Sequence, residues 1–114
     1  MPSPSPVHRE SWLRCRRSFE RWLAHSPLFT TPLQVIDWAV AYGFADRLHA
    51  SMSLDHLVIS DRPPRAEHAN KLVVIPKPDS VELRLYRDAG LAEMVEIDRS
   101  RLHEELDRLV SEFR

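Results

Sequence analysis

The sequence has little glycine and almost no cysteine, and both absences exclude familiar kinds of functional site. Its two glycines, Gly43 and Gly90, are too few and too far apart to build a P-loop or a GxGxxG nucleotide-binding turn. The single cysteine, Cys15, rules out an internal disulfide and the paired-cysteine zinc motifs. A lone thiol is typical of a protein from a reducing compartment, so we expect a cytoplasmic location.

Net charge and long apolar runs are lacking as well. The 114 residues carry a formal net charge of −1, whereas a nucleic-acid-binding domain usually has a clear excess of Lys and Arg. No stretch offers the roughly 20 mostly apolar residues that a membrane-spanning helix needs. The first ten residues have neither the basic nor the apolar region of a secretory signal. We therefore expect an ordinary soluble domain that has no membrane partner.

The most apolar stretch, residues 31–50, predicts a central helix that is buried on most sides. Thr31 and Gln34 fit a capping box at its start, and Pro32 suits the first helical position. Behind them an apolar stripe repeats at helical spacing: Leu33, Ile36, Val40, Phe44 and Leu48. Gly43 inside this helix would cost about 1 kcal/mol relative to alanine. We interpret that glycine as a sign that another element approaches the helix closely.

Two further helices are predicted, one at each end of the chain. The first begins at Pro6, or alternatively at Ser11, and ends before Pro27. Its apolar face comprises Trp12, Cys15, Phe19, Trp22 and Leu23, and a second stripe beside that face comprises Arg14, Arg17 and Arg21. The last helix begins at Asp98 or Ser100. Its apolar face comprises Leu102, Leu106, Leu109, Val110 and Phe113.

Runs of β-forming residues predict an antiparallel meander in the last third of the chain. The three strands are predicted at residues 72–75, 81–87 and 91–97. A fourth strand depends on residues 57–59, which fit either a strand or a helical turn. Residues 61–70, with two consecutive prolines, are expected to form a loop.

The lengths of the connecting loops decide which strand residues share a face. A five-residue loop at 76–80 would place Val73 opposite Leu83, and a three-residue loop at 88–90 would place Leu83 opposite Val95. The face expected to pack on the helices then carries Val73, Ile75, Val81, Leu83, Val95 and Ile97. The opposite face carries Leu72, Val74, Glu82, Arg84, Tyr86, Met94 and Glu96.

The predicted fold is therefore α+β. Two N-terminal helices precede an antiparallel meander of three strands, or four if 57–59 is a strand, and one C-terminal helix packs on the sheet. Residues 1–5 alternate serine and proline and are expected to be disordered, so the single domain spans residues 6–114. The residues expected to be almost fully buried are Ile36, Val40, Phe44, Leu83, Val95, Leu106 and Val110.

No combination of residues in the sequence points to catalysis, a metal or a cofactor. The nearest approach to a ligand cluster is Asp46, His49 and His56, which lacks the spacing of a zinc motif. Cys15 lies among arginines, which lower a thiol pKa, but it falls on the apolar helix face and no base is nominated for it. We expect it to be a small buried hydrophobe. We therefore predict no catalytic, metal-binding or cofactor-binding residues.

The opposite face of the sheet is the predicted functional surface. If all the helices pack on one face, the other exposes Leu72, Val74, Arg84, Tyr86 and Met94, residue types that suit a partner-binding surface. The alternative is that the first helix or residues 53–70 cover this face, in which case Tyr86 and Met94 belong to the core.

The leading functional hypothesis is a small, non-catalytic accessory protein of bacterial type that binds another protein or a second copy of itself. Immunity proteins and antitoxins are examples of that class, and the comparison is one of size and fold order only. The second hypothesis is a nucleic-acid-associated factor that uses Arg14, Arg17 and Arg21. The third is a small enzyme of unknown class.

Overall fold

The computed structural model describes residues 6–63, 66, 68–88, 90–111 and 113. Within them the chain forms three α-helices: α1 (Pro6–Leu23), α2 (Thr30–Ala41) and α3 (Leu102–Val110). Five strands are formed: β1 (His49–Ser53), β2 (His56–Ser60), β3 (Lys71–Pro76), β4 (Val81–Arg87) and β5 (Gly90–Ile97). They make one antiparallel sheet in the order β1-β2-β3-β4-β5. The predicted α+β class is confirmed, but the sheet has five strands rather than three or four. The expected disorder of residues 1–5 lies outside the described residues.

The predicted central helix is wrong beyond Ala41. Gly43 has φ +82°, a left-handed conformation that ends α2. Nothing lies within 4 Å of a Cβ built on this glycine, so close approach of another element is not the reason for it. After a 3₁₀ turn the chain enters β1 at His49. The sequence assigned the start of this strand to the helix.

The start of α2 also differs from the prediction. The helix begins at Thr30, directly after a 3₁₀ turn over Pro27–Phe29, and its N-cap, Phe29, makes no capping hydrogen bond through its side chain. Thr31 lies inside the first turn and is buried. The expected capping box at Thr31 is therefore not formed. The side-chain cap belongs instead to Ser26, whose hydroxyl accepts the N–H of Leu28 at the 3₁₀ turn.

The predicted core is confirmed at four of its seven positions. The four buried residues are Ile36, Leu83, Leu106 and Val110. Val40 is 59% exposed, and Phe44 and Val95 are half-buried. The buried face of α2 runs through Val35, Ile36, Trp38 and Ala39, so Val40 lies on the other side of the helix, and Phe44 lies beyond the helix end at Ala41.

The expected register of β3 is wrong by one residue. Val74, not Val73, lies opposite Leu83, and the N–H of Lys77 donates to the C=O of Ser80 at 3.0 Å, so the hairpin loop is shorter than expected. A one-residue slip exchanges the two faces of a strand. Leu72 and Val74, which we expected on the open face, are therefore fully buried in the core.

The register of β5 on β4 is confirmed at its centre. Leu83 lies opposite Val95, and Arg84 lies opposite Met94. An irregularity near the turn shifts the pairing, so that Tyr86 lies opposite Leu91. Since the alternation of both strands is intact at their centre, their side chains point as the sequence predicts.

The helices and one face of the sheet together form a single core. We call this face the inner face, and it contributes Leu57, Ile59, Leu72, Val74, Leu83, Leu85 and Ile97. The helices contribute Trp12, Cys15 and Phe19 from α1, Val35 and Ile36 from α2, and the predicted apolar stripe of α3 except Phe113, which lies beyond the helix end and is half-buried. The expected burial of Leu102, Leu106, Leu109 and Val110 is confirmed. No helix in the described part of the chain is long and apolar enough to cross a membrane.

The edge of the sheet at β1 is covered by α1. The Ser11 hydroxyl accepts a hydrogen bond from the backbone N–H of Ala50 at 3.0 Å. The Trp12 indole N–H donates to the C=O of Leu48 at 2.9 Å, just before the strand begins. Side chains of the helix thus satisfy backbone groups at an edge that would otherwise be free to pair with another strand.

Candidate binding face

The face of the sheet opposite the core, which we call the outer face, is organised in rows that cross the strands. The central row comprises Ser51, Val58, Val73, Arg84 and Met94, each opposite the next. A flanking row comprises His49, Ser60, Lys71, Tyr86 and Leu91. Both rows extend across all five strands. On β1 and β2 the side chains of His49, Val58 and Ser60 are buried, whereas β3, β4 and β5 present apolar, aromatic and cationic side chains side by side.

A groove of about 550 Å³ lies on this face. Val58, Val73 and Ile75 provide apolar groups along it, and Lys71 and Tyr86 provide polar ones. Every residue that lines the groove belongs to a strand, except Asp88 in the β4–β5 turn. No helical residue contributes to the lining of the groove, and α1 lies instead against the β1 end of the outer face, where His8 Nε2 is 3.1 Å from His49 Nε2.

Ion pairs hold Arg84 beside Tyr86. Glu82 accepts hydrogen bonds from the Arg84 guanidinium and from the Lys77 ammonium. The Lys77 Nζ atom lies 3.0 Å from Glu82 Oε1 and 2.6 Å from Glu96 Oε1. The hydrogen bond from Lys77 is the main cause that lowers the pKa of Glu82. Hydrogen bonds to Glu82 and then to the Tyr86 hydroxyl raise the pKa of Arg84. The network fixes the position of a guanidinium next to an aromatic ring in the groove.

Lys71 also lines the groove but takes no part in this ion-pair network. It is half-buried between Ser60 and Tyr86 in the flanking row. Its ammonium makes no hydrogen bond or ion pair with any described residue. His56 and Asp88, which also line the groove, each have a partner: His56 lies 3.3 Å from Asp55, and Asp88 lies 2.7 Å from His68. The groove therefore favours a ligand with an acidic group.

The structure separates the three residues that came nearest to a ligand cluster. His49 Nε2 lies 3.1 Å from His8 Nε2, whereas Asp46 is paired with Arg9 and His56 with Asp55. Burial is the main cause that lowers the pKa of His49, and the proximity of His8 lowers it further. In the residues that the structure describes, no group of three side chains could hold a metal ion.

Cys15 is a buried part of the core, as expected. Its side chain is 2% exposed, and burial raises the pKa of the thiol to about 11 although Arg14 lies nearby. The sulfur is therefore present as the unreactive thiol near neutral pH.

The three arginines of the nucleic-acid hypothesis lie on the exposed side of α1. Arg14, Arg17 and Arg21 make no ion pair with any described residue. Their neighbour Arg16 differs, since it contacts Glu20 and Asp37 and so joins α1 to α2. None of the three lines the groove, although Arg14 lines a neighbouring cavity with His49 and Ser51 at the β1 end of the outer face.

Of the five residues expected to bind a partner, three lie on the outer face. These are Arg84, Tyr86 and Met94, while Leu72 and Val74 lie in the core. The sequence missed Lys71, Val73 and the contributions of β1 and β2. Comparison with protein-family models, with curated proteins and with solved structures finds no match to this chain. Its function is therefore inferred from the geometry of the outer face.

Proposed function

We propose that this protein is a non-catalytic binding protein that holds a partner protein on the outer face of its sheet. The observation that carries the proposal is a groove lined by strand residues and the β4–β5 turn, with the helices contributing to the core on the inner face. Tyr and Arg are enriched where binding energy concentrates, and Tyr86 and Arg84 lie together in this groove. The role is that of a cytoplasmic accessory protein, of the immunity or antitoxin kind, that acts by contact alone.

The groove also defines what the partner should present. Val58, Val73 and Ile75 favour apolar side chains, and Lys71 favours a carboxylate placed between them and Tyr86. A flat, purely apolar surface would leave the Lys71 ammonium desolvated without a partner, which is costly. We therefore expect a protein segment that combines apolar and acidic residues.

Placing two carboxylates in the groove should abolish partner binding without unfolding the protein. We expect Val73→Glu combined with Tyr86→Glu to bind the partner at least tenfold more weakly, because both changes oppose an acidic, apolar ligand. The matched control is Val40→Glu with Tyr42→Glu, an aliphatic and an aromatic side chain exposed on and after α2. The immobilised protein and both variants are used to capture proteins from a lysate of the native source, and calorimetry then measures the affinity for the recovered partner.

The proposal requires that the groove variant loses the partner, that the control variant keeps it, and that both melt within a few degrees of the unchanged protein. A groove variant that binds as tightly as the unchanged protein would contradict it. Unfolding of the groove variant alone would show that the outer face is covered.

Nucleic-acid binding through α1 is the second candidate, because Arg14, Arg17 and Arg21 are exposed and share one side of a helix. Phosphate contacts make affinity fall steeply with salt, whereas an interface with an apolar centre changes far less. Fluorescence anisotropy with labelled DNA and RNA at low and moderate salt distinguishes the two. Binding that is steeply salt-dependent and lost on changing all three arginines to Gln would favour the second candidate.

A further inference from the structure

The two edges of the sheet differ in how their backbone groups are satisfied. At β1, side chains of α1 bond to the strand and to the residue before it. β5 pairs with β4 on one side, and among the described residues no hydrogen bond reaches its backbone from the other side. β5 is also the longest strand, with eight residues, and contains none of the proline or lysine that usually protects an edge. Alternate N–H and C=O groups of β5 are therefore free to pair with another strand.

The side chains of β5 fit that role. Leu91 and Met94 are 53% and 58% exposed. The two glutamates of the strand are engaged elsewhere in the chain: Glu93 is held by Arg108 of α3, and Glu96 by Lys77. An approaching strand thus meets apolar side chains and carboxylates that are already neutralised.

We propose that two copies of this chain pair antiparallel through their β5 edges, about a two-fold axis perpendicular to the sheet, and form one continuous ten-stranded sheet. We assign the pairing strand to a second copy because two antiparallel β5 strands match each other. Their free backbone groups can pair, and their exposed apolar side chains can meet. A two-fold axis of this kind keeps both outer faces on the same side, so each residue must lie opposite a residue of the same face. The pairing is therefore centred on a single residue of β5.

Charge excludes two of the available centres. An axis at Glu93 or at Glu96 would place two like carboxylates directly opposite each other, which is unfavourable. An axis at Met94 places Met94 opposite Met94 of the second copy, and Glu93 opposite Val95 of the second copy. That register joins the two exposed methionines and covers the half-buried Val95, so the dimer is centred on Met94.

This interface rests on the β5 edge and is independent of the groove. In the dimer the two outer faces are continuous, so each pair of copies presents two grooves on one surface. The partner protein and the second copy therefore occupy different parts of the same molecule.

Sedimentation of the purified protein tests the proposal without any partner. We expect a dimer, and we expect Met94→Lys to weaken association at least tenfold because two ammonium groups would then lie opposite each other. Val40→Lys is the matched control, since Val40 is 59% exposed on α2 and lies outside the β5 edge. A protein that stays monomeric at all accessible concentrations would overturn the proposal, as would a Met94→Lys variant that associates as strongly as the control.

Disulfide cross-linking tests the register. Directly opposed residues have Cβ atoms about 4.5–5.5 Å apart, close to what a disulfide requires. The native Cys15 is buried and does not interfere. We expect Met94→Cys to form a disulfide-linked dimer under mild oxidation much faster than Tyr42→Cys, which is exposed after the end of α2. Equal rates for the two variants, or faster cross-linking of Glu93→Cys or Glu96→Cys, would overturn the Met94-centred dimer.

Discussion

Replacing Val74 with glutamate should unfold the protein, whereas the same replacement at its neighbour Val73 should leave it folded. Val74 is fully buried on the inner face, opposite Leu83 and Leu57. A carboxylate there has no partner, and an unpaired buried charge costs several kcal/mol, which is comparable to the roughly 5–15 kcal/mol that stabilises a whole domain. Val73 lies in the groove, where a carboxylate reaches water, so we expect a loss of about 1 kcal/mol or less.

Circular dichroism and urea denaturation of the two variants measure this difference. The opposite result, with Val73→Glu unfolded and Val74→Glu folded, would mean that Val73 lies opposite Leu83 and that the observed register of β3 is wrong. Unfolding of both variants would mean that both faces of β3 are covered.

Truncating Phe19 should cause the second large loss. Phe19 of α1 is fully buried, and its ring lies 5.5 Å from Trp22 and 6.0 Å from Phe29 between centroids. These contacts join α1 to the turn that precedes α2. Phe19→Ala removes an aromatic side chain from a closed site and should cost about 3–5 kcal/mol of unfolding free energy.

Leu13→Ala is the matched control for Phe19, because Leu13 lies on the same helix and is 50% exposed. We expect it to cost well under half as much in the same urea titration. A loss below 1 kcal/mol for Phe19→Ala would contradict the packing of α1 described above.

Elements that carry a complete local pattern were predicted well. Asp98 caps the 3₁₀ turn Arg99–Arg101 that leads into α3, its carboxylate accepting the N–H of Ser100, and Leu102, Leu106, Leu109 and Val110 are buried as expected. β4 alternates strictly and β5 pairs with its centre in the predicted register, so Leu83 and Val95 meet as predicted and Arg84, Tyr86 and Met94 lie on the outer face. In each case the residues of the element itself contain the information.

The errors arose where the local pattern was ambiguous. Residues 72–75 are all apolar, so only the assumed loop length decided their register, and an error of one residue exchanged Val73 with Val74. Gly43 in an apolar run fitted either a helix interior or a helix end, and the positive φ that decides the matter is a property of the fold. β1 has the sequence His-Ala-Ser-Met-Ser, which has little β propensity and forms a strand because it pairs with β2 beside α1.

The candidate site was predicted in part for the same reason. Tyr86, Arg84 and Met94 follow from alternation within single strands. Lys71 and Val58 join them only through the pairing of β2, β3 and β4, which tertiary contacts determine. The groove is thus a property of the whole sheet, and no single segment of the sequence encodes it.

The central claim is that the outer face is open to solvent and available to a partner, and native-state thiol labelling tests it most directly. Tyr86→Cys would place a thiol in the groove, while Leu85→Cys would place one on the inner face, where Leu85 is 2% exposed. The two residues are neighbours in β4 and lie on opposite faces of the sheet, and the buried Cys15 serves as an internal reference. We expect the thiol at position 86 to react with a maleimide much faster than those at positions 85 and 15, which react only through local or global opening. A thiol at position 86 that reacts as slowly as Cys15 would show that the outer face is covered, and would contradict the proposed function.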